Sequence, residues 1–304
     1  MKYERFLLGL NKNGETVQYC VDLKQLNSFG IGGKTKYLVV ANKAKTIKEI
    51  AKYTKLFYIV GNGTNIVFPD KLYKGTIIKL GKNFSTIKVK NNKVVAGASA
   101  NLFALNNFLK DKELSGLEFT FGIPGSVGGA VFMNAGAFGD EIGNYVTRVK
   151  IFDGEKIYWT KNFTFSYRNS TFKQKKYVIL FVELTLSKGK KEEIEKRQKE
   201  FLEKRKTTQP YGEKSAGSVF KRIEKNGKTF FPAKIIDKLG LKGVKIGSAE
   251  ISTKHAGFIV NKNSATQKDV KKLIKKVKNK IKRETGFELE EEIILLKGDT
   301  KWLS

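Results

Sequence analysis

Two glycine-rich windows constrain this chain more than any other feature. One is Gly61-Asn62-Gly63-Thr64-Asn65; the other is Gly122-Ile123-Pro124-Gly125-Ser126-Val127-Gly128-Gly129-Ala130, followed by Met133-Asn134-Ala135-Gly136-Ala137. Turns this poor in side chains let backbone approach a ligand closely, and their N–H groups can satisfy the oxygens of a diphosphate without any lysine. The first window follows residues 56–60, which read as a strand. The second follows Leu102, Leu105, Phe108 and Leu109, which have helical spacing. Two such loops suit one extended ligand, although on spacing alone tight turns between strands explain them equally well.

Several other chemistries are excluded. Gly32-Gly33-Lys34-Thr35 lacks the glycine that a P-loop needs at position 28, where Ser28 stands. No G-x-G-x-x-G follows a strand, which removes a Rossmann dinucleotide domain. His255 is the single histidine and Cys20 the single cysteine, so a hydrolase triad, a zinc site and an internal disulfide framework are all poorly supplied, and no metal is expected. Read by itself, His255 is a structural hydrogen-bonding residue. The lone cysteine fits a reducing, cytoplasmic setting.

The formal charge of +30 raises the question of a nucleic-acid or membrane partner. Only seven of the 59 basic residues are arginine, and the lysines run along the whole chain rather than forming a patch. That pattern fits a lysine-biased composition better than a nucleic-acid footprint. No stretch approaches a membrane span, and the first ten residues lack the length and cleavage pattern of a signal peptide.

Residues 46–53 read as a short helix capped by Thr46, with Glu49 completing a capping box. Short β-branched and aromatic runs at 149–152 and 177–184 read as strands. Residues 188–206 form a charged helix with Ile194, Phe201 and Leu202 inward, and residues 207–212 a linker. Val270, Leu273, Ile274, Val277 and Ile281 mark a long amphipathic helix, capped near Thr266 and stopped at Gly286, with its lysines on a solvated face. A final strand is expected over 289–296.

Several segments, in order and spacing, resemble the MurB family of UDP-N-acetylenolpyruvoylglucosamine reductases. Asn27-Ser28-Phe29, Ile31-Gly32-Gly33 and the two glycine windows are similar to that family's FAD-binding half. Ser166-Tyr167-Arg168-Asn169-Ser170, Ser215-Ala216-Gly217-Ser218-Val219-Phe220-Lys221, residues 252–261 and Leu289-Glu290-Glu291-Glu292-Ile293 are similar to its C-terminal part. The short third region resembles the compact subfamily without an extra substrate-covering loop.

The resemblance implies an α+β chain, with a two-part FAD-binding fold of the PCMH/vanillyl-alcohol-oxidase type and a C-terminal α+β substrate-binding domain. The expected units are residues 1–82, 83–206 and 207–304. It implies a cytoplasmic monomer that binds FAD non-covalently and uses NADPH to reduce the enolpyruvyl ether of a UDP-sugar, UDP-N-acetylglucosamine enolpyruvate, to UDP-N-acetylmuramate for peptidoglycan synthesis. The two glycine windows would hold FAD, and Tyr167, Lys221 and Arg222 would contact the substrate. Ser218 would protonate C2 after hydride reaches C3, while Arg168 and Glu292 work at the substrate carboxylate. The residue types suit those tasks: a guanidinium offers paired N–H donors to a carboxylate that gains charge, and a hydroxyl on a glycine-flanked turn can deliver a proton stereospecifically.

Two positions depart from the family pattern. Arg222-Ile223 stands where many members have Asn-Pro, which makes Arg222 a candidate for the substrate pyrophosphate. Glu291 stands where Pro is frequent. Without a histidine in the N-terminal half, covalent flavin attachment has only Cys20 as a conceivable anchor. The competing readings are an FAD oxidase on the same fold and a lysine-rich nucleic-acid-binding protein.

Overall fold

The computed structural model describes residues 2–302. Its helices are α1 (Lys2–Lys12), α2 (Ala44–Tyr53), α3 (Leu102–Asp111), α4 (Val127–Met133), α5 (Thr171–Gln174), α6 (Lys191–Thr208), α7 (Pro232–Lys238) and α8 (Gln267–Thr285). They pack on three main sheets, giving the α+β organisation that the sequence implies.

The first sheet orders its strands Thr16–Asp22, Lys34–Ala41, Tyr73–Leu80 and Phe57–Ile59. The first pair is antiparallel and the others are parallel. Parallel strands need crossover connections, most often helical. α2 serves as one, burying Ile47, Ile50 and Ala51. The second sheet is antiparallel, in the order Ile157–Thr160, Val146–Phe152, Val178–Thr185, Lys93–Gly97 and Ile87–Lys90. α3 and α4 contribute Leu102, Leu105 and Val131 to the apolar core on it. The third sheet runs Ser215–Ser218, Phe258–Asn261, Ala249–Ile251 and Lys245–Ile246, and α8 buries Val270, Leu273, Ile274, Val277 and Ile281 against it.

Each sheet has its own apolar cluster, and the clusters are stitched together. Phe29, Ile31 and Val67, all from the first third of the chain, are buried in the core of the third sheet. In return, Leu296 and Trp302 join the core of the first. Ile294–Leu295 pairs in parallel with Ile66–Val67, which ties the end of the described chain to the segment just after the first glycine loop.

Four local expectations need correction or extension. α2 begins at Ala44, so Thr46 lies inside the helix; its hydroxyl donates to Glu15 Oε1 at 2.5 Å, and Glu49 pairs with Lys52. A partner 31 residues away outbids the local cap. The expected final strand shortens to Ile294–Leu295, because Lys221 N–H donates to the Glu290 carbonyl and Glu292 N–H to Val219, drawing 290–292 toward the third sheet. α6 runs through Thr207 and Thr208, whose hydroxyls donate back to the Glu203 and Lys204 carbonyls, covering part of the expected linker. α1 lies in a stretch without a capping residue at its start, and inserts Leu7 and Leu10 into the first core. By contrast, α8 starts at a full capping box between Thr266 and Asp269 and ends at left-handed Gly286, as its sequence signals dictate.

Candidate active site

The first glycine loop extends the strand Phe57–Ile59, and the second leads into α4, capped by Ser126, whose Oγ accepts the Gly129 N–H at 3.2 Å. The loops touch. A Cβ at Gly61 would strike Ser126 Oγ, and one at Gly63, where φ is +65°, would strike the Leu26 carbonyl. Glycine is therefore a packing requirement at both positions, and at Gly63 a conformational one as well. Among the described residues, the backbone N–H groups of residues 61–65 and of Gly125 and Ser126 donate to no group of the chain. Converging backbone donors of this kind form an anion-binding concavity.

These loops line one cavity of about 1070 Å³, above the roughly 300–1,000 Å³ of drug-sized pockets. Gly61, Asn62, Gly63, Thr64, Asn65, Gly122, Ile123, Pro124, Gly125, Ser126, Gly128, Gly129, Ala135 and Gly136 face it, and so do Arg168, Ser218 and Glu292. Apolar walls come from Tyr58, Phe132, Val178 and Trp302. Asn134 is not part of the lining. It caps α4 in the left-handed region, donates to the Ser166 carbonyl at 3.0 Å and accepts the Gly143 N–H, so it braces the wall from behind.

Arg168 sits in the two-residue turn of the hairpin Phe165–Ser166/Asn169–Ser170, itself left-handed with φ +54°. Ser170 Oγ anchors that hairpin to the Phe132 carbonyl at 2.7 Å. The Arg168 guanidinium donates from Nε to Glu292 Oε1 at 2.6 Å, from Nη2 to the Gly136 carbonyl at 2.9 Å and from Nη1 to the Asn134 carbonyl at 3.5 Å. Burial, the largest influence, pushes the Glu292 carboxyl above the usual carboxylate range, while Arg168, Lys173 and Lys221 pull it back.

Ser218 reaches the same cavity through an irregularity. The strand Ser215–Ser218 slips register against Phe258–Asn261, at Gly217 with φ +81°. A bulge of this kind re-aims the residue that follows it. Bonds from Lys221 N–H to Glu290 and from Glu292 N–H to Val219 then hold the two segments side by side. Positions 168, 218 and 292 thus meet in one cavity wall.

Tyr167, Lys221 and Arg222 lie outside the cavity lining and are engaged with the chain. Arg222 stacks 4.1 Å over the Tyr167 ring and pairs with Glu224 at 2.7 Å, while Lys221 pairs with Glu290. Glu291 pairs with Lys278 at 3.1 Å and bridges to Phe220, so the family's proline is replaced here by a residue with its own anchor. Cys20 is exposed and also lies outside the lining. His255 accepts the Gly257 N–H at Nδ1 and packs edge-on against Phe258; burial lowers its pKa, so it is a neutral structural residue.

Two basic residues escaped sequence reasoning. Arg205, 6% exposed, lines the cavity, donates to the Phe119 and Phe121 carbonyls and lies 5.0 Å from the Phe138 ring centroid. Burial pushes its guanidinium down to about 10. Its signal was present: an arginine on the same inner stripe of α6 as Ile194. Lys173, on α5, is half-buried beside Arg168 and carries no local signal.

Comparison with known proteins settles the family. Residues 209–296 match the C-terminal domain of UDP-N-acetylenolpyruvoylglucosamine reductase, and residues 36–156 match an FAD binding domain. The reductase of Thermotoga sp. (strain RQ2) is 42% identical over 98% of this chain and 100% of its own length. The chain belongs to the MurB family. The Clostridium tetani MurB relative is 36% identical over 98% of both chains. The crystal structure of MurB from Thermus caldophilus matches with a TM-score of 0.80 and 32% identity, covering 93% of this chain and all of that one. The MurB assignment agrees with the cavity: free backbone donors suit the diphosphate of FAD, and the apolar walls suit its rings. Among the described residues no helix is long and apolar enough to cross a membrane.

Proposed function

We propose that this protein reduces UDP-N-acetylglucosamine enolpyruvate to UDP-N-acetylmuramate with NADPH as hydride donor. The observation that carries the reading is the single cavity that joins an uncommitted backbone anion cradle to Arg168, Ser218 and Glu292. Residues 61–65, Gly125 and Ser126 would hold the FAD diphosphate through their N–H groups. FAD held there would supply the hydride-transfer chemistry between NADPH and the enolpyruvyl group.

The chain's own residues manage the charge and the proton. Arg168 binds the substrate carboxylate, exchanging part of its contact with Glu292 for it. A second carboxylate beside an ionised Glu292 is electrostatically unfavourable, and burial already favours the protonated acid. Glu292 therefore takes up a proton as substrate binds, and donates a hydrogen bond to the carboxylate as negative charge develops there. Ser218 then gives its hydroxyl proton to C2, and the alkoxide left behind regains a proton from solvent. Arg222 and Tyr167, stacked beside the hairpin, with Lys221, would meet the UDP diphosphate.

We further infer the division into residues 1–82, 83–206 and 207–304, supported by three main sheets whose strands each fall within one unit, a cytoplasmic setting, supported by a nucleotide-sugar substrate and NADPH, and a monomer. The test of function is isotopic. NADPH carrying deuterium at the transferred position should label C3 of the lactyl group alone, and turnover in D₂O should label C2. Label at neither carbon would reject the reaction.

A further inference from the structure

Lys173 has no part in the mechanism above, yet its ammonium is placed with care. It is the third residue of α5, a helix capped by Ser170, whose Oγ accepts the Lys173 N–H at 3.2 Å. The same Oγ anchors the hairpin to α4 through the Phe132 carbonyl. From there the side chain folds back, and Nζ donates to the Arg168 carbonyl at 3.1 Å. That carbonyl belongs to a residue with φ +54°, a conformation that a non-glycine residue adopts at a cost and keeps only where its surroundings enforce it.

The electrostatics make an incidental contact a poor explanation. Burial lowers the Lys173 pKa, and Lys221 and Arg168 lower it further, opposed by Glu292 and Glu290. Placing a third ammonium or guanidinium in this half-buried cluster costs free energy unless it does something there. We propose that Lys173 is a positioning residue: its ammonium clamps the Arg168 carbonyl, holds that residue in the left-handed region and so aims the guanidinium at the substrate carboxylate. The inference rests on the functional reading above. The same charge also bears on Glu292. Without it, Glu292 keeps its proton to higher pH, because one of the cations that favour its ionised form is gone.

The test uses the holoenzyme and its two half-reactions, measured anaerobically by stopped flow, with Lys173→Met and Lys173→Arg beside wild type. NADPH should reduce the Lys173→Met flavin at about the wild-type rate. Reoxidation by the enolpyruvyl substrate should slow about 10- to 100-fold, the usual consequence of a misplaced reacting group. The alkaline limb of the reoxidation profile should move to higher pH. Groups facing this cluster are Arg168 from the hairpin, Lys221 from the segment after Ser218, and Glu290 and Glu292 from the segment before Ile294. Of these, Glu292 is the acid whose proton the mechanism uses. Lys173→Arg, which can still donate to the carbonyl and keeps the charge, should recover most of the rate. If Lys173→Met fails to fold, Lys173→Gln replaces it, with the same expected shift of the limb. Wild-type reoxidation and an unmoved limb in the charge-removing variant would overturn the proposal alone. A wild-type flavin that the substrate never reoxidises would overturn the functional reading with it.

Discussion

Around residues 61–65 and 125–126 the cavity wall is backbone, and its N–H groups are taken up by no acceptor of the chain; around Arg168 each guanidinium nitrogen is already engaged, by Glu292, Gly136 or Asn134. The first region is a receptor that needs no rearrangement to accept an anion. The second is a set of side chains held in place by one another, so a substrate carboxylate must displace an existing contact to bind. Binding and chemistry therefore respond differently to substitution: the glycine loops govern whether the cofactor stays, and the Arg168 cluster governs whether the reduced flavin can deliver its hydride productively.

Five substitutions sharpen that contrast, in falling order of effect. Ser218→Ala should retain FAD and accept hydride from NADPH, but lose about 10²- to 10⁴-fold in reoxidation rate, measured by single-turnover absorbance. Normal turnover in that variant would break the assignment of Ser218. Arg168→Lys should lower kcat/KM about 10²-fold, since an ammonium cannot offer the paired donors of a guanidinium and loses the contacts to Gly136 and Asn134. FAD affinity in Arg168→Lys should stay within a few-fold of wild type, as judged by flavin fluorescence.

Gly63→Ala acts at the other region. Its Cβ would meet the Leu26 carbonyl and Asn27 Cα in a backbone conformation that disfavours side chains, so the loop must shift. A loss of about 1–3 kcal/mol in stability is expected, with weaker FAD retention after gel filtration. The smallest effects compare two helix starts. Thr266→Ala removes a capping-box hydroxyl and should cost about 1 kcal/mol in a denaturant melt. Glu49→Ala removes an exposed partner of Lys52 and should change stability by less than about 0.5 kcal/mol.

The same contrast explains what could be read from the sequence. A backbone cradle is local, so its glycines stand together in two windows and their purpose shows in the residue types. α8 was legible for the same reason, its apolar stripe, Thr266 cap and Gly286 stop all lying within one segment. The reacting cluster joins positions 168, 218 and 292, and nothing local to Ser218 or Glu292 marks either out; only the resemblance of the surrounding motifs does. Long-range partners also account for the misreadings. Thr46 looked like a cap until Glu15 claimed its hydroxyl, and residues 290–292 looked like continuous strand until 219–221 drew them aside. Asn134 stood in a loop that otherwise faces the cavity, yet its amide is spent on Ser166 and Gly143.

The most direct test of the central claim is anaerobic. The purified protein is reduced with stoichiometric NADPH, UDP-N-acetylglucosamine enolpyruvate is added, and the visible flavin absorbance is followed. Bleaching by NADPH and rapid return of the oxidised spectrum on adding the enolpyruvyl substrate is the result expected here. Bleaching without return would contradict the assigned substrate and leave only a flavoprotein of this fold.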